Sequence, residues 1–169
     1  MILDMTPILD AVTDRIPFSF SYRPGEDSVV SALFPDITFS SPISCSGFVS
    51  DRAGYMSLHA DVSLSYETAC ARCAEPVTGN LAFSFEKDIA DSSVSRDNDD
   101  YLFIENQRLD LVDPLEEQLL LELPTKTLCR EDCKGLCGRC GQNLNFGDCD
   151  CKKHEVDPRL AVLKTLLDK

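Results

Sequence analysis

Eight of the nine cysteines in this sequence lie in close pairs, a spacing that is typical of metal ligands. Two of these pairs follow one another at Cys137, Cys140, Cys149 and Cys151. A Cys-x2-Cys turn places two sulfur atoms on one side of a tight loop, and two such pairs can complete a tetrahedron around zinc. The residues between the pairs are rich in glycine and asparagine, which suit a tight return of the chain. The spacing therefore predicts a structural zinc site, here called site 1.

The remaining pairs, Cys70 with Cys73 and Cys129 with Cys133, are far apart in the sequence but can form a second site. If the two pairs meet, their four thiolates would hold another zinc ion and attach the C-terminal segment to the preceding domain. We call this set site 2. Two alternatives stay open: the first pair could be free thiols at a turn while the second is merely spaced by one helical turn, or pairs could combine across the two sites. His154, which follows site 1, is a spare candidate ligand.

A metal would also explain how the C-terminal segment folds. Residues 125–169 are too few to bury a substantial core, so a module of this size is usually stabilised by a metal ion or disulfide bonds, here called a staple. Structural zinc contributes on the order of 10 kcal/mol of apparent folding free energy at neutral pH. We therefore expect zinc as the cofactor, with two ions bound, or at least one.

Other cysteine chemistries fit the sequence less well. The N-terminus lacks the basic start and apolar run of a signal peptide, so we expect a cytoplasmic protein, in which disulfides are rare. Catalytic zinc keeps an open coordination position, whereas these cysteines come in complete sets of four. The usual spacings of iron–sulfur proteins also differ from these. Cys45 stands alone in a predicted strand and is expected to be a small buried residue.

The sequence lacks the motifs of common active sites. It has no glycine-rich phosphate loop, no H-E-x-x-H and no G-x-S-x-G motif, so we expect a protein that is not an enzyme and has no small-molecule substrate. The alternative is a thiol redox protein that uses Cys70 and Cys73. Such a pair is usually exposed at a helix N-terminus, whereas this one lies between predicted strands. No apolar run is long enough to cross a bilayer, which argues against a membrane partner.

The net charge of −13 is unevenly distributed along the chain. Residues 1–125 contain 7 basic and 22 acidic residues, whereas residues 126–169 contain 9 basic and 7 acidic residues. The acidic part would repel a phosphate backbone and suits a basic protein partner, although such acidity can also serve solubility alone. Direct contact with RNA would need a local basic surface near the cysteines. The candidates for contacts with RNA or a partner are Arg72, Lys126, Arg130, Lys134, Arg139, Lys152 and Lys153.

Alternating apolar residues predict an antiparallel sheet in the first part of the chain. Residues 16–22 alternate, residues 36–51 do so more loosely, and residues 56–67 are apolar at every second position. A further alternating stretch at 77–86 follows a short turn, so these two strands should form a long hairpin with the first cysteine pair of site 2 at its tip. Residues 101–104 and 108–111 are expected to be two short strands across a turn at Asn106, after a polar loop at 91–100.

Two leucine-rich segments predict helices. In residues 113–124, Asp113 can cap the helix, Pro114 fits its first turn, and Leu115, Leu119 and Leu123 form one apolar stripe. The same pattern recurs at residues 157–167. The sequence thus predicts an α+β protein. An antiparallel β-domain ending in a leucine-rich helix (residues 1–124) precedes a cysteine-rich, zinc-stapled module with a short terminal helix (residues 125–169).

The chain resembles the YceD family, the large ribosomal RNA subunit accumulation proteins of bacteria and plastids. The residues that carry the resemblance extend from about Tyr66 to the end. They are the hairpin-tip CARC at 70–73 with the following Pro76, RLDL at 108–111, DPLEEQLLLELP at 113–124, CREDCKGLCGRCGQNLNFGDCDC at 129–151 and DPRLAVLKTLL at 157–167.

The resemblance implies a role in the accumulation of large-subunit ribosomal RNA, and hence in ribosome assembly. The expected function is a non-catalytic factor with structural zinc that binds a large-subunit ribosomal protein or precursor ribosomal RNA. A thiol redox protein and a general protein-interaction module are the alternatives.

Overall fold

The structure, a computed structural model, describes residues 1–90 and 101–151 of the chain. The predicted loop at 91–100, the predicted helix at 157–167, and the candidates Lys152, Lys153 and His154 lie outside these residues. In chain order the elements are β1 (Ile2–Asp4), α1 (Thr6–Leu9), β2 (Arg15–Tyr22), α2 (Val29–Leu33), β3 (Thr38–Phe39), β4 (Ile43–Arg52), β5 (Tyr55–Ala69), β6 (Pro76–Ala90), β7 (Tyr101–Phe103), β8 (Arg108–Asp110) and α3 (Val112–Glu122).

Six of the strands form one sheet in the order β2-β4-β5-β6-β7, with β3 paired to β5 beside this path. Its neighbouring strands are antiparallel except β6 and β7, which run parallel. β1 and β8 form a separate antiparallel pair. The fold is therefore α+β with a mostly antiparallel sheet, as the sequence predicts.

The centre of the sheet is the predicted hairpin, whose two strands, β5 and β6, are somewhat longer than the alternating stretches. Met56 lies opposite Ile89 at one end, and Ala69 lies opposite Pro76 at the other. Side chains of successive strand residues point to opposite faces, so nearly every second residue of β5 is buried. This hairpin carries the turn at residues 70–75, with its two cysteines, to the end of the sheet.

The helices cover one face of the large sheet. Each contributes apolar side chains to the same buried cluster as alternate residues of β4 and β5. The opposite face of the sheet is polar and rich in exposed serine. Among the described residues, no helix is long and apolar enough to cross a membrane. The helical core residues are Ile8 of α1, Val30 of α2, and Leu115 and Leu119 of α3, with Leu123 just beyond it.

The start of α3 differs from the prediction. The helix begins at Val112, and Asp113 lies in its first turn instead of capping it. The carboxylate of Asp110 accepts a hydrogen bond from the Val112 N–H at 2.8 Å, so an acid that precedes the helix serves its first turn. Glu116, one turn into the helix, accepts hydrogen bonds from the Tyr22 and Ser28 hydroxyls. This carboxylate therefore joins α3 to β2 and to the start of α2.

The turn at Asn106 is present, but its flanking strands pair elsewhere. The backbones of Glu105 and Arg108 exchange two hydrogen bonds of 2.9 Å, and Asn106 and Gln107 have φ angles of 50° and 63°. β7 then pairs with β6, and β8 pairs with β1. The turn thus redirects the chain from the large sheet to the small one.

Candidate metal sites

The hairpin tip places the first half of site 2. The N–H of Cys70 donates to the Glu75 carbonyl at 2.8 Å, and the Ala74 N–H donates to the Cys70 carbonyl at 2.9 Å. Ala74 adopts a φ of 59° in closing this turn. Both tip cysteines are buried, Cys70 with 3% and Cys73 with 4% of the residue exposed.

The second half of site 2 comes from the segment that follows α3. The Ala71 N–H donates to the Thr127 carbonyl at 2.9 Å, which sets this segment against the hairpin tip. The sulfur of Cys73 lies 3.6 Å from that of Cys129, and the sulfur of Cys70 lies 3.9 Å from that of Cys133. All four sulfurs lie within 4.8 Å of one another.

These separations suit a metal better than disulfide bonds. Zinc–sulfur bonds of about 2.3 Å in a tetrahedron place the sulfurs about 3.8 Å apart. A disulfide would bring two sulfurs to about 2.05 Å. The pairs expected from the sequence are therefore together, and their four thiols can hold a metal ion.

Backbone N–H groups stabilise negative charge on the sulfur of Cys70 in site 2. Burial would raise the pKa of Cys70, but the N–H groups of Arg72, Cys129 and Cys73 outweigh it and lower this pKa to about 6. Cys129 is exposed as a residue, but loss of water around its sulfur and then the neighbouring sulfurs raise its pKa to about 12. Four adjacent thiolates repel one another, so without a cation some of them keep a proton. A metal ion would replace those protons and leave the donor set complete.

Arg72 fastens the two halves of site 2 together. Its guanidinium donates to the backbone carbonyls of Cys133 at 2.9 Å and Glu131 at 3.2 Å. Its own carbonyl accepts from the Leu136 N–H at 3.0 Å. Gly135 adopts a φ of 76° there, and an added Cβ would lie 2.9 Å from the Arg72 carbonyl oxygen. The guanidinium of Arg72, which the sequence indicated as a candidate contact for RNA or a partner, thus bonds backbone oxygens within the protein.

Site 1 is built from one continuous stretch of chain. The Cys137 N–H donates to the Gln142 carbonyl at 2.8 Å, and the Gly141 N–H donates to the Cys137 carbonyl at 2.9 Å. Gly141 has a φ of 74°, which glycine adopts without strain. The four sulfurs lie within 4.8 Å of one another, but Cys140 is exposed and the other three are half-buried. Site 1 is thus more open to solvent than site 2.

The thiols of site 1 also differ from one another in pKa. The backbone N–H groups of Cys140 and Arg139 lower the pKa of Cys137 to about 6. At Cys151, the hydrogen bond with the Cys140 sulfur and then burial raise the pKa to about 12. As in site 2, a metal ion would displace the protons held by the less acidic thiols.

Asn145, which the sequence analysis did not identify, connects the two sites. It lies between the cysteine pairs of site 1, yet its side-chain amide nitrogen is 3.3 Å from the Cys133 sulfur of site 2. This contact lowers the pKa of Cys133 despite its burial. The side-chain oxygen of Asn145 accepts from the Lys134 N–H at 2.8 Å, and the Leu144 N–H donates to the Gly135 carbonyl at 2.9 Å. Asparagine was noted there only as a turn former, and nothing in its spacing reveals the sulfur it contacts.

Besides Arg72, the structure describes four of the predicted basic contacts. Lys126, Arg130, Lys134 and Arg139 are exposed. Arg130 makes a salt bridge of 3.4 Å with Asp132, so part of its charge is compensated. Cys45, by contrast, is a core residue with 2% exposure, as expected, and burial raises its pKa to about 11.

Comparisons with known proteins find relatives that match part of this chain. An uncharacterised protein of Mycobacterium tuberculosis is 33% identical over 102 residues, which cover 58% of this chain and 49% of the relative. The uncharacterised protein YlbN of Bacillus subtilis is 28% identical over 140 residues, 82% of this chain and 81% of the relative. The large ribosomal RNA subunit accumulation protein YCED homolog 1, chloroplastic, of Arabidopsis thaliana is 30% identical over 104 residues, 56% of this chain and 32% of the relative.

The chain therefore spans about half the length of the mycobacterial relative that it matches. No solved structure matches it. The sequence profile of YceD, described as large ribosomal RNA subunit accumulation protein YceD, matches residues 58–167, which are more than half of the chain and include all of sites 1 and 2. From this match, the chain belongs to the YceD family.

Proposed function

We propose that sites 1 and 2 each bind one zinc ion and that both ions are structural. Each site offers four cysteine sulfurs, the number that a closed tetrahedral site uses. A full set of protein ligands leaves no position for substrate or water. At site 2 the metal would join residues 129–133 to the hairpin tip, and this supports a division into a β-domain (residues 1–124) and a stapled module (residues 125–169).

We propose further that the zinc-loaded protein is a non-catalytic factor in the accumulation of large-subunit ribosomal RNA, and so in ribosome assembly. The observation that carries this proposal is the family match over residues 58–167. Relatives in Arabidopsis thaliana and Zea mays are named for large ribosomal RNA subunit accumulation. The protein would act by binding. The metal-binding groups of the described residues are two sets of four cysteines, and a metal held by four protein ligands has no position left for a substrate.

The partner that we favour is a large-subunit ribosomal protein. The chain carries a net charge of −13, which favours a cationic partner and disfavours the phosphate backbone of RNA. Precursor ribosomal RNA is the second candidate. It would have to contact the module, where Lys126, Lys134 and Arg139 are exposed.

Cells that lack the gene would test the proposed function. We expect less mature large-subunit ribosomal RNA relative to small-subunit RNA, and we expect the tagged protein to co-sediment with large-subunit precursors in a sucrose gradient. Normal ribosomal RNA in the deletion strain, with no tagged protein in precursor fractions, would refute the assembly role. A variant with Cys70 and Cys133 both changed to Ser should behave like the deletion strain, whereas Cys45→Ala should not.

The thiol redox alternative is tested on the purified protein. Zinc near two equivalents, together with cysteines that resist alkylation until a chelator is added, supports structural sites. A rapidly alkylated, low-pKa thiol in the metal-loaded protein would support redox chemistry at the hairpin tip. The burial of Cys70 and Cys73 favours the first result.

A further inference from the structure

Among the residues that the structure describes, no strand pairs with most of one edge of β6. One side of β6 pairs with β5 from Pro76 to Ile89, but on its other side β7 reaches only Asp88–Ala90. Residues 77–87 make no further backbone hydrogen bond to any residue that the structure describes. In a strand, alternate residues direct their N–H and C=O groups to opposite sides. This edge therefore presents a row of donors and acceptors that could bind another strand.

The core-facing side of β6 is incompletely covered. Leu81, Phe83 and Phe85 pack against the main core, and Val77 packs against the site 2 cysteines, yet all four remain half-exposed. A strand added to this edge could cover them with apolar side chains of its own. The edge thus offers apolar surface as well as backbone groups.

The polar face beside this edge is acidic. Glu67 and Asp61 of β5 lie opposite Thr78 and Ser84 of β6, and Glu86 follows on β6 itself, where it contacts the His59 ring at 3.0 Å. The side chains between these acids and the edge are short, so a lysine of an added strand could reach over them. The basic residue of the strand, Lys87, already makes a salt bridge of 3.4 Å with Glu117. The charge here favours a cationic neighbour.

The opposite edge of the sheet is protected, which makes β6 distinctive. β2 carries Pro17, which has no N–H to donate, and the charged Arg15 at its first position. Proline and basic residues are common protection against strand addition. Between Val77 and Glu86, β6 has neither proline nor a basic residue.

We propose that the free edge of β6, residues 77–87, binds an extended segment of a cationic protein, which joins the sheet as an additional strand. The bound segment would alternate, with apolar side chains over Leu81, Phe83 and Phe85 and lysine or arginine on the acidic face. This inference rests on the proposed function, because it gives the binding mode of the basic ribosomal protein favoured there. A second copy of the chain is disfavoured, since two acidic faces would then lie side by side.

Synthetic peptides of about ten residues test the edge directly, because strands of this length are common in sheets. The probe is a peptide of alternating lysine and valine, and binding to the zinc-loaded protein is measured by fluorescence anisotropy. We expect it to bind, whereas a peptide of the same composition in two blocks and an alternating glutamate–valine peptide should bind at least about tenfold more weakly. Equal binding of the block peptide would contradict strand addition, because charge alone would then suffice.

Variants of the protein locate the site. Thr78→Lys with Ala82→Lys places positive charge beside the edge at two exposed positions. We expect this pair to weaken binding of the lysine–valine peptide by about tenfold or more. The control pair, Ser44→Lys with Ser46→Lys, adds the same charge to exposed positions on β4, away from the edge, and should change binding less than about twofold at moderate salt. Equal loss in both pairs would overturn the proposal, and circular dichroism and thermal melting would verify that all variants fold.

Hydrogen exchange distinguishes strand addition from binding by charge alone. Peptide binding should slow exchange at alternate backbone amides within residues 77–87, and a peptide methylated on its edge-facing nitrogens should lose both this protection and its affinity. Protection elsewhere, or a purified protein that dimerises through this edge and is made monomeric by the Thr78 and Ala82 pair, would overturn the inference. If the pair loses peptide binding but restores ribosomal RNA in the deletion strain, the edge inference fails while the assembly role stands.

Discussion

Asn145 makes contacts in both halves of the metal-binding region. Its position belongs to site 1, but its amide supports a sulfur of site 2. Such groups outside the ligand set orient the ligands and adjust their basicity. A change at this residue of the site 1 loop is therefore expected to act on site 2.

Replacing Asn145 with Ala should weaken zinc binding at site 2 by about tenfold, because Cys133 loses the donor that stabilises its thiolate. Competition with a chromogenic chelator would measure this, with alkylation of Cys133 identifying the site that releases zinc. Gln142→Ala is the control, since its exposed side chain lies in the same loop. An equal loss of zinc affinity in both variants would show that the affinity depends on the loop as a whole and not on the Asn145 amide.

Tyr22 provides a pH-dependent contact between β2 and α3. Burial and then the hydrogen bond to Glu116 raise the Tyr22 pKa to about 12, above its ordinary value of about 10. The folded state therefore favours the neutral hydroxyl. This contribution to stability is fully present below about pH 10 and is lost as the pH rises towards about 12.

Tyr22→Phe should lower the free energy of unfolding by about 1 kcal/mol at neutral pH. Urea unfolding at several pH values should show the difference from the wild type shrinking above about pH 10. Tyr55→Phe, which removes an exposed hydroxyl bound to Asp88, should cost less. The free energy of unfolding of Tyr22→Phe could instead differ from that of the wild type by a constant amount up to about pH 12. This result would contradict the raised pKa of Tyr22.

The leucine stripe of α3 holds this helix on the sheet. Leu115 and Leu119 are fully buried, whereas Leu121 of the same helix is 75% exposed. Leu119→Ala should destabilise the protein by about 2–5 kcal/mol through lost burial and a cavity. Leu121→Ala should change stability by less than about 0.5 kcal/mol. Chemical denaturation of both variants would compare them, and similar losses would mean that the helix packs through another face.

Gly79 on β6 is required by its neighbour on β5. Tyr66 lies opposite it, and an added Cβ would be 2.3 Å from a ring carbon of this tyrosine. Gly79→Ala should therefore lower the melting temperature by forcing the ring aside, at a cost of about 1–3 kcal/mol. Gly25→Ala is the control, because nothing lies within 4 Å of its added Cβ. Equal melting temperatures for both variants would show that Tyr66 moves without cost.

Across the whole molecule, the two proposed metals have unequal structural roles. Site 2 joins residues that are 56 positions apart between Cys73 and Cys129, while site 1 closes within one short stretch. The main core is formed mostly by the sheet and helices and does not include the site 2 cysteines. Loss of metal should therefore affect the module first.

Removing zinc with a chelator should make residues 125–151 sensitive to proteases while the sheet signal in circular dichroism is largely retained. The proposed metal would supply the module's main cross-link, whereas the sheet and helices have a core of their own. Limited proteolysis with mass spectrometry would locate the cuts. Simultaneous loss of the sheet signal would show that the domain also depends on zinc.

Local patterns explain which features were predictable from the sequence. The alternation of residues 56–67 and the leucine spacing in α3 each lie within one short stretch of sequence. The hairpin and the helix could therefore be predicted without knowing any long-range contact. The helices α1 and α2, of four and five residues, are too short to show a period, and the partners of β7 and β8 depend on contacts distant in sequence. The helix start was misplaced because Asp110, before the expected cap, serves the first turn. Spacing grouped the eight cysteines into two sets, but the contact of Asn145 with Cys133 needs the folded chain.

The distance along the chain between the two halves of site 2 has a consequence for synthesis. A ribosome makes the hairpin tip first, and Cys129 is the 56th residue that it adds after Cys73. During that interval an ion captured at the tip would have only two protein sulfurs and would remain exchangeable. Permanent enclosure of an ion would thus require that translation has passed α3, so a firmly bound ion would indicate that the strands and helices before Cys129 have already been made.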